Sequence, residues 1–426
     1  MHKEPIDKLV FLDFFAGAGL VELGMGPEWQ CAWANDIDPK KAEVYAANFD
    51  PALYHLGDVA NISANHLPSG ADIAWASFPC QDLSLAGWRR GMSAERSGTF
   101  WAFWRIMRDL HDLDRMPPML VLENVTGLLY GPEFAGLCEA LAGLGLRFGA
   151  VVIDAKHFVP QSRPRVFLVA VDDRVDTAPF ENAQPESSPW LPKSVWSAYL
   201  ALPPALRARW TWWSLPVPTE TVPDVGTRIE SRPTTVEWHG AEQTARLLEM
   251  MTEVNLARID QARKDGGRQV GLLYKRTRNG AQRAEIRFDG VAGCLRTPSG
   301  GSSRQTVVVV ENGTVRSRLL TPREAARLMG VEDSFVLPSS YNQAYKAMGD
   351  AVVVPAVGWL SINLLTPLAR SLCHHPYALV VYDVSDRQAH RSISQVRASH
   401  WNDARLALAA SSEYPGANNS APSSTR

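Results

Sequence analysis

Leu9-Val10-Phe11-Leu12-Asp13-Phe14-Phe15-Ala16-Gly17-Ala18-Gly19 is the stretch on which the reading of the fold turns. Its first five residues form a compact apolar run of strand length, the glycines mark a turn, and Val21, Leu23 and Met25 carry a helical pattern onward. A buried strand, a tight turn and a helix in succession open a parallel α/β unit. Gly17 and Gly19 let the backbone turn sharply and approach a ligand closely, and the helix that follows offers unpaired N–H groups to a carboxylate or phosphate. Taken alone, such a turn is equally compatible with a purely structural role.

Working outward, the run Gln30 to Asn35 reads as a second strand ending in Asp36, about twenty residues beyond the glycine turn, where an acid can accept from both hydroxyls of a ribose. The two signals together predict nucleoside binding. Pro39 opens a helical pattern, and Gly57-Asp58-Val59 forms a short third unit whose acid could accept from an exocyclic amino group or simply face solvent. Ala71 to Ala76 reads as a buried strand leading into Ser77-Phe78-Pro79-Cys80-Gln81-Asp82, and Met119 to Leu122 as another ending in Glu123-Asn124-Val125. Gln161-Ser162-Arg163-Pro164-Arg165 leads into a further strand from Val166 to Val171. Parallel sheets gather the carboxyl ends of their strands on one rim, which places residues 15 to 19, 36, 58, 79, 80 and 123 together. Cys80 alone fits an inert core thiol as well as a nucleophile, and Glu123 alone fits a helix cap. Pro79, Gln81 and Asp82 are poor company for a core thiol. The tract from 83 to 98, with Arg89, Arg90 and Arg96, has little apolar periodicity and reads as a basic loop beside the thiol, a lid rather than a linker.

The chain of 426 residues, 46% of them hydrophobic, is long enough for two or three domains with a sizeable core. Its N-terminus, with acidic residues and no long apolar run, is not expected to be a signal peptide, no uninterrupted apolar stretch is expected to span a bilayer, and a cytoplasmic location is expected. Five widely spaced cysteines make neither a disulfide framework nor a zinc pattern, so no metal is expected. The net charge of −2 conceals an uneven distribution. Between Arg258 and Arg304 eleven Lys or Arg stand against four acids, the footprint of a polyanionic partner.

Asp13-Phe14-Phe15-Ala16-Gly17-Ala18-Gly19, Pro79-Cys80-Gln81, Glu123-Asn124-Val125 and Gln161-x-Arg163-x-Arg165, in this order, resemble the motifs of the DNA (cytosine-5)-methyltransferases of the bacterial restriction-modification type. The tracts from Arg318 to Gly330 and from Ala344 to Pro355 resemble the two C-terminal motifs of that family. The resemblance covers roughly residues 9 to 172 and 317 to 365. It implies a Rossmann-like S-adenosylmethionine-dependent methyltransferase fold with an inserted small target-recognition domain. It also implies a catalytic set in which Cys80 adds to C6 of a flipped cytosine, Glu123 serves N3, Arg165 holds O2 and Arg163 supports it. Cofactor positions carry over to Phe15, Gly17, Gly19, Asp36, Ile37, Asp58, Val59, Pro79, Phe100, Asp350 and Ala351. The chain departs from the family at Gly349-Asp350-Ala351-Val352, where Gly-Asn-Ser-Val is usual, and at Ile37, where an aromatic residue is frequent.

The matched blocks imply a catalytic domain over 1–178, a target-recognition domain over 179–312, a return to the catalytic domain over 313–375, and a partly disordered extension over 376–426. Six tryptophans (190, 196, 210, 212, 213 and 238) mark the insert, most of them expected to build a core. Arg276, Arg278, Arg296 and Arg304, with Arg89, Arg90 and Arg96 of the loop, are the candidate contacts to double-stranded DNA. A monomer is expected, with a cognate restriction endonuclease acting on the same site as a candidate partner. A tRNA cytosine methyltransferase would keep the same nucleophile and acid, but the large insert argues for duplex DNA. A silent DNA-binding module would have no need of Cys80, Glu123 and both arginines, nor would a nicotinamide oxidoreductase.

Overall fold

A computed structural model of the chain describes residues 7–79, 98–278, 280–296 and 304–372. Cys80, Arg89, Arg90, Arg96, the side chain of Arg278 and the C-terminal extension lie outside the described residues.

Seven strands build the main sheet: β1 (Leu9–Phe14), β2 (Trp29–Asp36), β3 (Tyr54–Leu56), β4 (Ile73–Ala76), β5 (Met119–Val125), β6 (Arg147–Asp154) and β7 (Pro164–Val171). Their order is β3-β2-β1-β4-β5-β7-β6. The first five are mutually parallel, whereas β7 runs antiparallel to both β5 and β6. This is the α/β architecture expected from the opening stretch. The strands read as nearly continuous apolar runs because the sheet is covered on both faces; Leu12, Phe14, Ile73, Trp75, Leu120 and Leu168 are all buried. The direction of winding reverses between β1 and β4, the point where an open parallel sheet leaves a crevice at its carboxyl edge. Because β7 is reversed, its amino end, Pro164-Arg165, meets the carboxyl end of β5 on that same edge, with Val125 opposite Arg165.

A two-stranded ribbon of β8 (Glu181–Asn182) and β9 (Trp212–Trp213) lies beyond β6. Trp213 Nε1 donates to the Gly149 carbonyl at 3.0 Å, and a Cβ on Gly149 would stand only 1.9 Å from the Thr211 carbonyl oxygen. Trp190, Trp210, Trp212 and Trp213 therefore extend the core of the main sheet. They do not build a separate small core.

The second sheet is antiparallel, ordered β11-β10-β12-β13, from β10 (Arg268–Arg278), β11 (Ala281–Arg287), β12 (Thr306–Glu311) and β13 (Thr314–Leu319). The strand pairing thus continues beyond residue 312 to Leu319. One face carries Leu273, Ala284, Ile286, Val308 and Val310 against helices Ala241–Glu249 and Glu253–Asp265. The alternate residues, Leu272 and Val307 among them, join the main core.

The chain then returns. Arg318 and Glu324 pair at 2.6 Å with both side chains fully buried, and Arg318 also donates to the Glu230 carbonyl. From Tyr341 to Arg370 a run of 30 residues is helical but for a break at 351–353, and its helix Val354–Leu360 docks on helix Leu20–Met25. Gly24 makes the close approach possible, since a Cβ there would meet Val357 at 2.6 Å. This run is long and apolar enough to cross a membrane, which the expectation from sequence did not allow for. Leu360, Leu364, Leu365 and Leu368 are completely buried in the core, so its apolarity serves packing.

Candidate active site

The edge above β1, β4, β5 and β7 collects the residues singled out in the sequence. Glu123, near the end of β5, is almost buried and its Oε1 lies 3.2 Å from Arg165 Nε. Asn124 Nδ2 donates to the Phe78 carbonyl at 2.9 Å and so ties the end of β5 to the segment that emerges from β4. Pro79 is exposed on this edge, and the described chain breaks off there, one residue before Cys80.

Arg163 and Arg165, two residues apart, do different things. Arg165 faces the carboxylate; Arg163 is buried and its guanidinium is spent on other parts of the chain. Its Nη1 donates to the Leu295 carbonyl at 2.7 Å, and its Nη2 to the carbonyls of Gly349 and Ala351 at 2.9 and 2.7 Å. A fork of fixed donors suits three carbonyls better than a point charge would. Burial, with Arg165 nearby, pushes Arg163 down to about 10. Gln161 completes the clamp: its amide accepts from Leu295 N and donates to the Leu328 carbonyl.

The clamp brings an unanticipated residue to the edge. Cys294 Sγ lies 3.3 Å from Arg163 Nη1. Burial raises this thiol, but Arg163, Arg165 and Arg296 outweigh burial and bring it below its ordinary value. The edge is therefore an electropositive environment. In the sequence Cys294 was only one of five scattered cysteines; its proximity depends on the fold of the insert.

Around the glycine turn, Phe15 and Gly17 have φ of 61° and 59°. A left-handed backbone at a phenylalanine is strained by roughly 1–2 kcal/mol and is the kind of feature that collects at functional sites. Asp36 braces the turn, accepting from Gly17 N at 3.0 Å and from Asp38 N at 2.9 Å through different oxygens. Each oxygen retains a lone pair for a further donor. Ile37 is 65% exposed, an unusual position for a large apolar residue and a suitable face for an aromatic base. Asp58 caps a short helix through Oδ1, bonded to Ala60 N at 2.9 Å, while Val59 is buried beneath it. Ala351 is half-buried, and Asp350 reaches Lys41 at 3.2 Å. A turn with open backbone, a braced acid and an exposed apolar side chain fit the ribose and adenine of a nucleoside cofactor.

Two expected cofactor residues sit differently. Phe100 is completely buried among Phe78, Phe103 and Trp104, because it belongs to the apolar face of helix Thr99–Asp112. Gly19, at φ 84°, has its missing Cβ position 2.4 Å from the Phe49 ring, so it is required for packing.

Of the candidate DNA contacts, Arg276 is exposed and lies 4.7 Å above the Tyr274 ring. The ring in turn neighbours Gly293, next to Cys294, so this face adjoins the edge where Arg163 lies. Arg283, one of the basic residues counted between 258 and 304, stands opposite Arg276 on β11 and is also exposed. Arg296 is exposed. Arg304 is turned inward: it hydrogen-bonds Asn342 and lies 5.3 Å over the Tyr341 ring. Among the described residues no group of three or more His, Cys, Asp or Glu could hold a metal ion.

A parallel sheet with a reversed β7, a braced acid beyond a glycine turn and a Glu–Arg pair on the same carboxyl edge make an α/β protein with a nucleoside-type site. The chain belongs to the C-5 cytosine-specific DNA methylase family, whose model matches residues 9–361. It is an enzyme, a DNA (cytosine-5-)-methyltransferase. The Type II methyltransferase M.BsuFI of Bacillus subtilis is 27% identical over 357 residues, covering 82% of this chain and 71% of that protein. The Type II methyltransferase M.MspI of Moraxella sp is 28% identical over 355 residues, 82% of this chain and 68% of that one. The crystal structure of S. pombe Dnmt2 methyltransferase superposes with a TM-score of 0.52 at 17% identity, over 84% of this chain and 98% of that one, a likeness of fold.

Proposed function

We propose that the enzyme methylates C5 of a cytosine flipped out of a specific duplex DNA sequence, through a covalent bond from Cys80 to C6. The contact between Glu123 and Arg165, 3.2 Å apart on the carboxyl edge of the sheet, with Asn124 tied to Phe78 next to it, carries this reading. C5 of cytosine is not nucleophilic until a thiolate adds to C6 and drives the ring electrons toward C5, N3 and O2. Cys80 supplies the thiolate, Glu123 holds a proton at N3, and Arg165 offers its guanidinium to O2. S-adenosylmethionine, when bound, supplies an electrophilic methyl group. Phe15, Gly17, Asp36, Ile37, Asp58, Val59, Pro79, Asp350 and Ala351 would hold it. Loss of the C5 proton and expulsion of Cys80 restore the ring and the free thiol.

Reaching the ring from its face and edges requires the base to leave the stack. The insert around β10 and β11, with its basic face, reads the duplex, so residues 179–312 serve target recognition and the flanking blocks catalysis. The names of the two relatives, both Type II methyltransferases, support a restriction-modification setting with a cognate endonuclease as partner, and we take the enzyme to act as a monomer. Duplex DNA carrying 5-fluorocytosine cannot lose its C5 substituent after methyl transfer. It should form a denaturant-stable adduct with the wild-type enzyme and none with Cys80→Ala; an adduct that persists in that variant would exclude Cys80 as the nucleophile.

A further inference from the structure

The ion pair of Lys41 and Asp350 bridges helix Pro39–Ala46 and helix Tyr341–Asp350 with a separation of 3.2 Å. The lysine stem crosses the glycine turn: its Cδ lies 3.7 Å from where a Cβ on Gly17 would stand, and Asp36 Oδ2 lies 3.9 Å from that same point. The pair therefore stands beside the acid that would hold the ribose. A cavity of about 220 Å³ between the same two helices, lined by Asp38, Lys40, Lys41, Lys346 and Ala347 among others, shares only Lys41 with the pair.

Both charges sit at the unfavourable end of their own helices. Lys41 is in the first turn of its helix, where the macrodipole disfavours a cation, and Asp350 is the last residue of its helix, where a carboxylate is disfavoured. A neighbouring bridge between the same two helices has no such conflict. Asp38 N-caps the first helix, bonded to Lys40 N at 2.9 Å, and takes Lys346 Nζ at 2.7 Å, so both its oxygens bear on structure. That bridge is a strut. Lys41 and Asp350, by contrast, keep unused capacity: an ammonium has three donors, and Asp350 has no other hydrogen bond among the described residues. The backbone on either side of Asp350 is fixed by Arg163, which holds the carbonyls of Gly349 and Ala351.

We propose that Lys41 and Asp350 form a zwitterionic clamp for the amino-acid end of the cofactor, Lys41 donating to its carboxylate and Asp350 accepting from its ammonium. This rests on the reading of the edge as an S-adenosylmethionine site. It assigns to Lys41 a role that the glycine turn and the acids leave vacant, and it makes an acid at position 350 an asset where the lysine accompanies it. The opposed charges of ligand and protein pair head to tail, relieving both helix ends at once.

Titration calorimetry with two ligands tests the clamp. S-adenosylmethionine carries the zwitterion, whereas 5′-methylthioadenosine keeps the adenine, ribose and sulfur but has neither carboxylate nor ammonium. Lys41→Met and Asp350→Ala should each weaken S-adenosylmethionine by about tenfold or more, as loss of a charge-assisted hydrogen bond does. They should leave 5′-methylthioadenosine within about twofold, which also reports that the variants are folded, and Lys41→Arg should retain most of the affinity. Unchanged binding of S-adenosylmethionine, or an equal loss of both ligands, would overturn the clamp. Failure of the wild-type protein to bind either ligand would instead overturn the cofactor reading on which the clamp rests.

Discussion

Glu123 and Arg165 meet across two antiparallel strands, β5 and β7, on the carboxyl edge of the main sheet. The carboxylate is nearly inaccessible and has its charge partner before any substrate arrives. Such preorganisation matters most where charge develops during reaction. Glu123→Gln keeps the shape and loses the proton-holding group. Single-turnover methyl transfer should fall by roughly 10²- to 10⁴-fold, the range typical of acid–base groups, while DNA binding in a gel-shift assay stays close to wild type. A rate within threefold of wild type would remove Glu123 from the chemistry.

Arg163 should fail in another way. Its guanidinium joins the β7 approach to the 294–295 and 349–351 segments, so truncation orphans two buried carbonyls and a half-buried third. Each orphaned group costs about 1–3 kcal/mol, and Arg163→Met should lower the free energy of unfolding by about 3 kcal/mol or more. Arg163→Lys should rescue little of it, because an ammonium cannot span the fork. Arg165→Lys should leave the urea midpoint near that of the wild type. Equal midpoints for the two lysine variants would contradict the division of labour.

That division was only half legible in the sequence. The strands, the turn and the acids announce themselves locally, because a buried parallel strand is a short apolar run and a glycine turn follows directly. Arg163 and Arg165 flank one proline and look alike from within their own segment. What separates them is contributed by residues more than a hundred positions later, Leu295, Gly349 and Ala351. Phe100 illustrates the same limit: the resemblance implies a place near the cofactor, and only the fold shows it packed against Phe78, Phe103 and Trp104 on the apolar face of its helix. Lys41 gave no signal at all, since a lysine early in a surface helix is ordinary until a helix three hundred residues away supplies Asp350.

Asp13 gives a pH signature. It is completely buried with no hydrogen-bond partner for either oxygen among the described residues, and burial, with Glu22 and Asp36 close by, pushes its carboxyl well above the usual carboxylate range. The folded state thus binds a proton that the unfolded state releases above about pH 4. With more protons bound in the folded state, stability from this group falls as pH rises, starting at the unfolded value and continuing toward the raised folded one. Asp13→Asn removes the dependence. The urea midpoint of the wild type relative to this variant should therefore decline between pH 4 and pH 7, and a difference that stays constant or grows would show that Asp13 is ionised in the fold.

Arg276 and Arg283 stand directly opposite each other on β10 and β11, both exposed. Like charges in that position are destabilising to a sheet, so their pairing argues for an anion shared between them. Glu285 offers Arg276 only a long contact of 4.0 Å, and that carboxylate already accepts from Tyr274 Oη at 2.8 Å. A DNA phosphate at this face would be continuous with the edge where Arg163 lies through Tyr274 and Gly293. If both arginines neutralise phosphates, each alanine substitution should weaken binding to cognate and non-cognate duplexes alike and reduce the slope of log K against log salt by about one. If one of them reads a base instead, its loss should relax discrimination at a single position by about 1–3 kcal/mol with a smaller change in slope. Arg304→Ala supplies the contrast: its guanidinium is engaged with Asn342 and Tyr341, so its loss should lower stability while the salt slope remains that of the wild type. Fluorescence anisotropy from 50 to 300 mM salt separates these outcomes, and slopes unchanged in both Arg276→Ala and Arg283→Ala would remove the DNA phosphates from this face.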